Sequence, residues 1–212
     1  MAIIGVLALI VVILVVMNMT RKPEIDYFAT ATEPSPTMGM LLTRALAAVG
    51  YNGPDIELKS SLYVPSAAAM IHDGKNYILY NPRTMALADR AGFKTIGQVA
   101  ILAREIGHLQ NCRQFIGSPG EAVQHDIQAV DPSADDYCGY LLARYTPNIN
   151  DCVNAQRLLL MLSGTPDEGD IRKRIEAVTN GWQRGGGENP DQLKSQLEAR
   201  LIPELQGIGS WW

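Results

Sequence analysis

One stretch carries residues whose types and spacing can do chemistry: Ile101-Leu102-Ala103-Arg104-Glu105-Ile106-Gly107-His108-Leu109. Written as a helix, it puts Ile101, Arg104, Glu105, His108 and Cys112 at i, i+3, i+4, i+7 and i+11, on one face. Ile96, Val99, Ala103 and Ile106 form the opposite, apolar face. A helix apolar on two sides is buried, so a charged row inside it needs a reason. A His-Glu-x-x-His helix supplies one. Its two histidines, one turn apart, hold zinc, and its glutamate takes a proton from a metal-bound water. Here Arg104 stands where the first of those histidines would be.

The elements around this helix must position it. Ser35 caps a helix opened by Pro36, with Met40, Leu41, Leu42, Ala45, Leu46 and Val49 as its core stripe and Gly50 as its stop. Residues 56–64 alternate loosely. Residues 67–71 and 76–80 read as two strands around His72-Asp73-Gly74-Lys75, a hairpin turn that leaves His72 facing solvent. Asn81-Pro82 opens a short helix through Ala91, ended by Gly92. The central helix spans 95–112. A loop at 116–120 follows, then a helix over 121–130 carrying His125. Asp131 starts a further helix that Pro147 breaks, and helices over 149–163 and 166–183 come next. Gly185-Gly186-Gly187 reads as a flexible break. The last helix, 190–202, aligns Leu193, Leu197 and Leu201 and stops at Pro203. This tail, with Trp211-Trp212, reads as a helix folded back on the domain; a partner-binding or membrane-touching element is the alternative.

With 212 residues the chain can bury a real core, and its net charge of −4 is mild. No basic patch interleaves with aromatics, which excludes a nucleic-acid partner. Three cysteines (Cys112, Cys138, Cys152) are too few for a disulfide framework. One bridge with one free thiol and three buried thiols both remain open.

Ala2 to Met17 is an unbroken apolar run, weakly extended to Thr20. At 1.5 Å per residue it nearly spans a hydrocarbon layer of about 30 Å. No Lys or Arg precedes it and no small-x-small cleavage site follows closely, so it reads as a retained single-pass anchor in the lipid bilayer through residues 2–19. Arg21 and Lys22 favour a cytoplasmic domain by the positive-inside rule, but two charges leave the side of the membrane open. The organisation is therefore an anchor over 1–20, a Pro/Thr/Glu-rich linker over 21–35, a main domain over 36–185, and a glycine linker with a final helix over 186–212.

Taken together, 101–108, the hairpin ending Tyr77-Ile78-Leu79-Tyr80-Asn81-Pro82, and Ala134-Asp135-Asp136-Tyr137-Cys138-Gly139-Tyr140-Leu141-Leu142-Ala143-Arg144 resemble a known family. It is the membrane-associated zinc metallopeptidases of the HtpX and CAAX-prenyl-protease type, in particular short bacterial members with one span. The segment from Arg174 to Trp182 is similar to the end of those domains, so the resemblance covers roughly residues 36 to 185. It implies a mostly helical α+β, zincin-like domain with a small β-hairpin or sheet, preceded by one transmembrane helix in a bacterial-type inner membrane. It also implies one zinc ion. Glu105 falls on the general base, His108 on the second zinc ligand and Arg104 on the first. Asp131 falls on the third ligand, a glutamate in the family, and Asp135 on the aspartate that orients a ligand histidine.

These departures differ in weight. Asp131 keeps a carboxylate but is one methylene shorter, and Asp131-Pro132 is also a good helix cap and first helical residue. Arg104 has no lone pair to donate and repels a cation. Zinc would keep His108, Asp131 and water, fewer than the three protein ligands of a catalytic site. His125 has no ligand-pair spacing to replace Arg104.

Arg104 therefore reads as a replacement for the metal, paired with Glu105, Asp131 or Asp135 through a bidentate contact. The competing expectation is a surface arginine paired in water with Glu105 or Glu121. Three functions follow: a membrane-anchored, catalytically degenerate domain that binds a peptide or protein, or serves as a scaffold; a working zinc endopeptidase with an unusual ligand set; and a membrane protein whose likeness to the family is accidental. A central helix that does not face the Asp131–Arg144 helix would favour the third.

Overall fold

The computed structural model describes residues 27–28, 30–112, 131–164 and 166–207. The expected anchor over 2–19, residues 21–26 and 29 of the linker, the 116–120 loop and the helix carrying His125 lie outside the described residues. So do the Asp131-preceding residues and the Trp211-Trp212 end. Among the described residues no helix is long and apolar enough to cross a membrane. The fold is α+β and mostly helical, with one three-stranded sheet.

Helix α1 (Pro36–Ala48) starts where Ser35 accepts a hydrogen bond from the Met38 amide, and Gly50 turns the chain at φ 59°. Met38, Leu41, Leu42 and Ala45 form its buried stripe, with Leu46 and Val49 partly buried against the same core. Met40, expected in that stripe, is instead exposed. At about 100° per residue it points away from Met38, Leu42 and Ala45, on the opposite side of the helix from the buried stripe.

Strands β1 (Ile56–Ser60), β2 (Ala67–His72) and β3 (Lys75–Tyr80) order as β1-β3-β2. The β2–β3 turn uses Asp73 and Gly74, both at positive φ (49° and 74°), the type I′ geometry that matches strand twist. His72 is exposed beside it and stacks on Phe28 at 4.7 Å. Strand β3 is central, parallel to β1 and antiparallel to β2. Side-chain alternation splits the sheet's faces. Ala67, Ala69, Ile78 and Tyr80 join the main core, while Ala68, Met70 and Leu79 pack with Val64 beneath Tyr27 and Phe28.

Asn81 caps α2 (Pro82–Arg90) by accepting from the Arg83 amide. The central helix, α3 (Lys94–Cys112), is buried at every position from Val99 to Leu109, as its two apolar sides required. It packs against β2, α1 and α2, and on its other flank against α4 (Pro132–Tyr145) and α5 (Ile149–Leu162). The most extensive helix pair is α4 with α6 (Glu168–Arg184). A Cβ at Gly139 would overlap the Val178 carbonyl, and one at Gly181 the Asp136 carbonyl, so backbone lies on backbone at this crossing.

Gly185-Gly186-Gly187 forms a closed turn rather than the slack linker expected. The Gly187 amide donates to the Trp182 carbonyl at 2.9 Å, and the fully buried Trp182 donates from Nε1 to the Glu188 carbonyl at 2.9 Å. Helix α7 (Pro190–Gly207) then folds back on α6 and α5 through Leu193, Leu197 and Leu201, all buried. Each such leucine contributes about 1.5–3 kcal/mol. Pro203, expected to stop this helix, lies inside it. A proline removes one amide donor; the next turn is held by Glu204, which accepts from Arg157 Nε at 2.7 Å.

Candidate functional site

The site forms where α3 crosses the first turn of α4. At Gly107 an added Cβ would lie 2.9 Å from the Ala134 Cα, so the absence of a side chain lets the two helices approach. The register that results is antiparallel. Arg104 on α3 meets Asp135 on α4, and one turn along, His108 meets Asp131.

Asp135 is fully buried, and its two carboxylate oxygens are divided between two arginines. Arg104 Nε donates to Oδ1 at 3.2 Å, and Arg174 Nε, from α6, donates to Oδ2 at 3.1 Å. Arg104 and Arg174 are 3% and 2% exposed, which removes the reading of Arg104 as a surface residue paired in water. A bridge between two guanidinium groups takes the place of the bidentate pair expected from Arg104 alone. Arg174 Nη1 also donates to Ser163 Oγ at 3.2 Å, at the end of α5. One carboxylate thus ties together α3, α4 and α6, and through Arg174 the end of α5. A carboxylate this deep persists because charged donors replace its water.

Asp131 has two jobs. As the N-cap of α4, its Oδ1 accepts from the Ser133 and Ala134 amides at 3.0 and 3.3 Å. Its Oδ2 lies 2.9 Å from His108 Nδ1. The bond to His108 is the main cause holding the Asp131 carboxyl well below the usual carboxylate range, with Ser133 helping and partial burial opposing. An ionised carboxylate only accepts, so Nδ1 carries the proton and donates. Cap and zinc ligand were the alternatives in the sequence; one oxygen caps α4, and the other lies against His108.

Glu105 is 3% exposed on α3, one residue after Arg104. Cys138, one turn after Asp135, donates from Sγ to the Ala100 carbonyl at 3.7 Å and accepts from Gln156 Nε2 at 3.5 Å. Cys138 and Cys152 are free, buried thiols. Burial pushes the Cys138 thiol up to about 12, and the charge of Asp135 adds to this.

Sequence reasoning missed Arg174 and Gln156. Arg174 sits among Ile171, Ile175, Val178 and Trp182, the apolar row of α6. It is a charge inside a core stripe, the same signal that singled out Arg104. Gln156 sits likewise between Val153 and Leu159 on α5.

Among the described residues, the donors at the expected zinc positions are poor ones: Arg104 offers no lone pair, and both oxygens of Asp131 already accept hydrogen bonds, from α4 and from His108. Among the described residues no group of three or more His, Cys, Asp or Glu side chains is arranged to hold a metal. Comparison of the chain with family models, with curated proteins and with solved structures finds no match.

Proposed function

We propose that the chain is a membrane-anchored, zincin-like domain that has lost the chemistry of a zinc peptidase and acts by binding an extended peptide or protein segment. The observation that carries this reading is the buried Arg104–Asp135 ion pair. In the resemblance Arg104 falls on a zinc ligand and Asp135 on the residue that orients one. A guanidinium bonded to that aspartate stands in for the ligand and brings its own positive charge. The packing of α3 on α4 supports the likeness to the family over an accidental one, because it brings together four of the five positions the resemblance assigns there, Arg104 with Asp135 and His108 with Asp131. The apolar run over 2–19 is the single span of this reading.

The binding surface is the edge of the sheet. Strand β3 is enclosed by its neighbours and β1 is bridged by Thr32, so β2 offers the outer edge of the hairpin. Strand addition there needs backbone groups and no metal. Replacing Ala69, in the middle of β2, by proline removes one backbone donor from that strand.

A second reading, an active zinc endopeptidase, draws on one observation: His108 and Asp131, two expected ligand positions, lie 2.9 Å apart, with Glu105 buried one turn before His108. One experiment separates the two. The full chain in detergent is incubated with zinc and a mixture of unfolded proteins, beside Glu105→Gln. Our reading predicts binding of extended peptides with no cleavage by either protein. Cleavage that Glu105→Gln abolishes would establish the second reading and overturn the first.

A further inference from the structure

Among the described residues, two of the exposed large apolar side chains are consecutive in sequence. Leu62 and Tyr63 are 55% and 54% exposed on the connection between β1 and β2, with exposed Pro65 close behind. Their loop is well anchored. The Ser61 amide donates to the Tyr80 carbonyl at 2.9 Å, the Tyr63 amide donates to Ser61 Oγ at 3.3 Å, and Val64 beneath them is 1% exposed. Leu62 and Tyr63 therefore project outward from a fixed base.

The same base receives the incoming chain. Ser61 Oγ donates to the Tyr27 carbonyl at 3.3 Å, and Thr32 bridges Ser60 at the end of β1. Tyr27 is the first described residue, and the apolar run ends at Thr20. Fully extended, that separation reaches at most about 25 Å. Lys59 and Glu33, at this end of β1, pair with each other at 2.6 Å, so bringing the loop against a lipid surface strands neither charge.

We propose that Leu62 and Tyr63 insert into the interfacial layer of the bilayer beside the 2–19 segment, giving the domain a second point of attachment. The proposal rests on reading 2–19 as a membrane span. The leucine enters the acyl boundary, and the tyrosine sits at headgroup depth, where its ring is buried and its hydroxyl wet. Two side chains bind lipid weakly by themselves, but the short tether keeps them at high effective concentration near the surface. The attachment sets the orientation of the sheet, and with it the β2 edge, relative to the membrane.

The test uses the full chain in phosphatidylcholine–phosphatidylglycerol vesicles whose acyl chains carry bromine, a short-range quencher of tryptophan. Tyr63→Trp places a reporter at an exposed position, and Met161→Trp places a control on α5, whose main packing partners are α3 and α7. Emission above that of the parent chain is compared in brominated and ordinary lipid, and an alkaline carbonate wash is run in parallel. We expect most of the added emission of Tyr63→Trp to be lost in brominated lipid, none of that of Met161→Trp, and the chain to stay with the vesicles. Unquenched Tyr63→Trp in a chain that resists the wash would overturn the second attachment alone. Release of the chain by the wash would overturn the span and the attachment with it.

Discussion

Arg104 and Asp135, 31 residues apart, meet across the α3–α4 crossing with Nε 3.2 Å from Oδ1, and the pair is buried on both sides. One turn further along α3 and one turn back on α4, His108 and Asp131 repeat the arrangement at 2.9 Å. Two acid–base pairs thus sit on one antiparallel seam, the inner one closed to solvent and the outer one at its rim. The inner pair is a fixed ionic link, and in the outer pair the Asp131 side chain is partly exposed.

Arg104→Ala leaves Asp135 with half of its charged donors. Loss of one partner of a buried ion pair costs about 3–5 kcal/mol. For a domain of this size that lowers the melting temperature by roughly 10 °C. Circular dichroism of the full chain in detergent measures it, and an unchanged melting temperature would remove Arg104 from its structural role. Arg174→Ala is expected to cost a similar amount. Because the two arginines share Asp135, the double variant departs from additivity by about 0.5–3 kcal/mol.

The outer pair predicts a pH dependence. The folded-state affinity of Asp131 for a proton is lowered by the bond from His108, so its contribution is present above the unfolded carboxyl range, near pH 4, and is lost as pH falls below it. Asp131→Asn is therefore less stable than the parent at pH 7, and the difference narrows at pH 3. Urea midpoints at the two pH values test this; a constant difference would mean that the His108 contact contributes nothing.

The α4–α6 crossing fixes the reach of Arg174. Gly139→Ala and Gly181→Ala each force a methyl into a facing carbonyl, which separates the helices at a cost of about 1–3 kcal/mol or more. The expected accompaniment is faster hydrogen exchange in both α4 and α6. Exchange confined to the mutated helix would show that the crossing does not act as a unit.

Cys138 and Cys152 should resist alkylation in the folded protein, because burial raises both thiols far above neutral pH. Peptide mass spectrometry after iodoacetamide treatment, with and without denaturant, measures this. Labelling of Cys138 under native conditions would contradict the closed seam around Asp135.

Much of the architecture was legible because short-range chemistry dictates it. Ser35, Asn81 and Asp131 announce helix starts, and Asp73-Gly74 announces the hairpin. The spacing of Arg104, Glu105 and His108 marked the central helix as buried and charged. Pairing across sequence was not legible. That β1 joins the far side of β3 is a non-local pairing, and that Arg174 supplies the second guanidinium to Asp135 depends on how α6 crosses α4; neither partner is encoded locally. Met40 and Pro203 went astray for different reasons. The helical period places Met40 opposite the buried Met38, Leu42 and Ala45, so its exposure was a local signal misjudged, whereas the turn after Pro203 is held by the Arg157–Glu204 ion pair, 47 residues apart in sequence.

The central claim is that Arg104 has replaced a metal ligand, and metal content tests it most directly. The full chain is purified in detergent without a chelator or a histidine tag, and its zinc is counted by plasma mass spectrometry beside Arg104→His/Asp131→Glu. The account predicts far less than one zinc per parent chain, with binding restored in the double variant if the seam keeps its geometry. One zinc per parent chain, lost in His108→Ala, would contradict it and make the chain a metalloprotein.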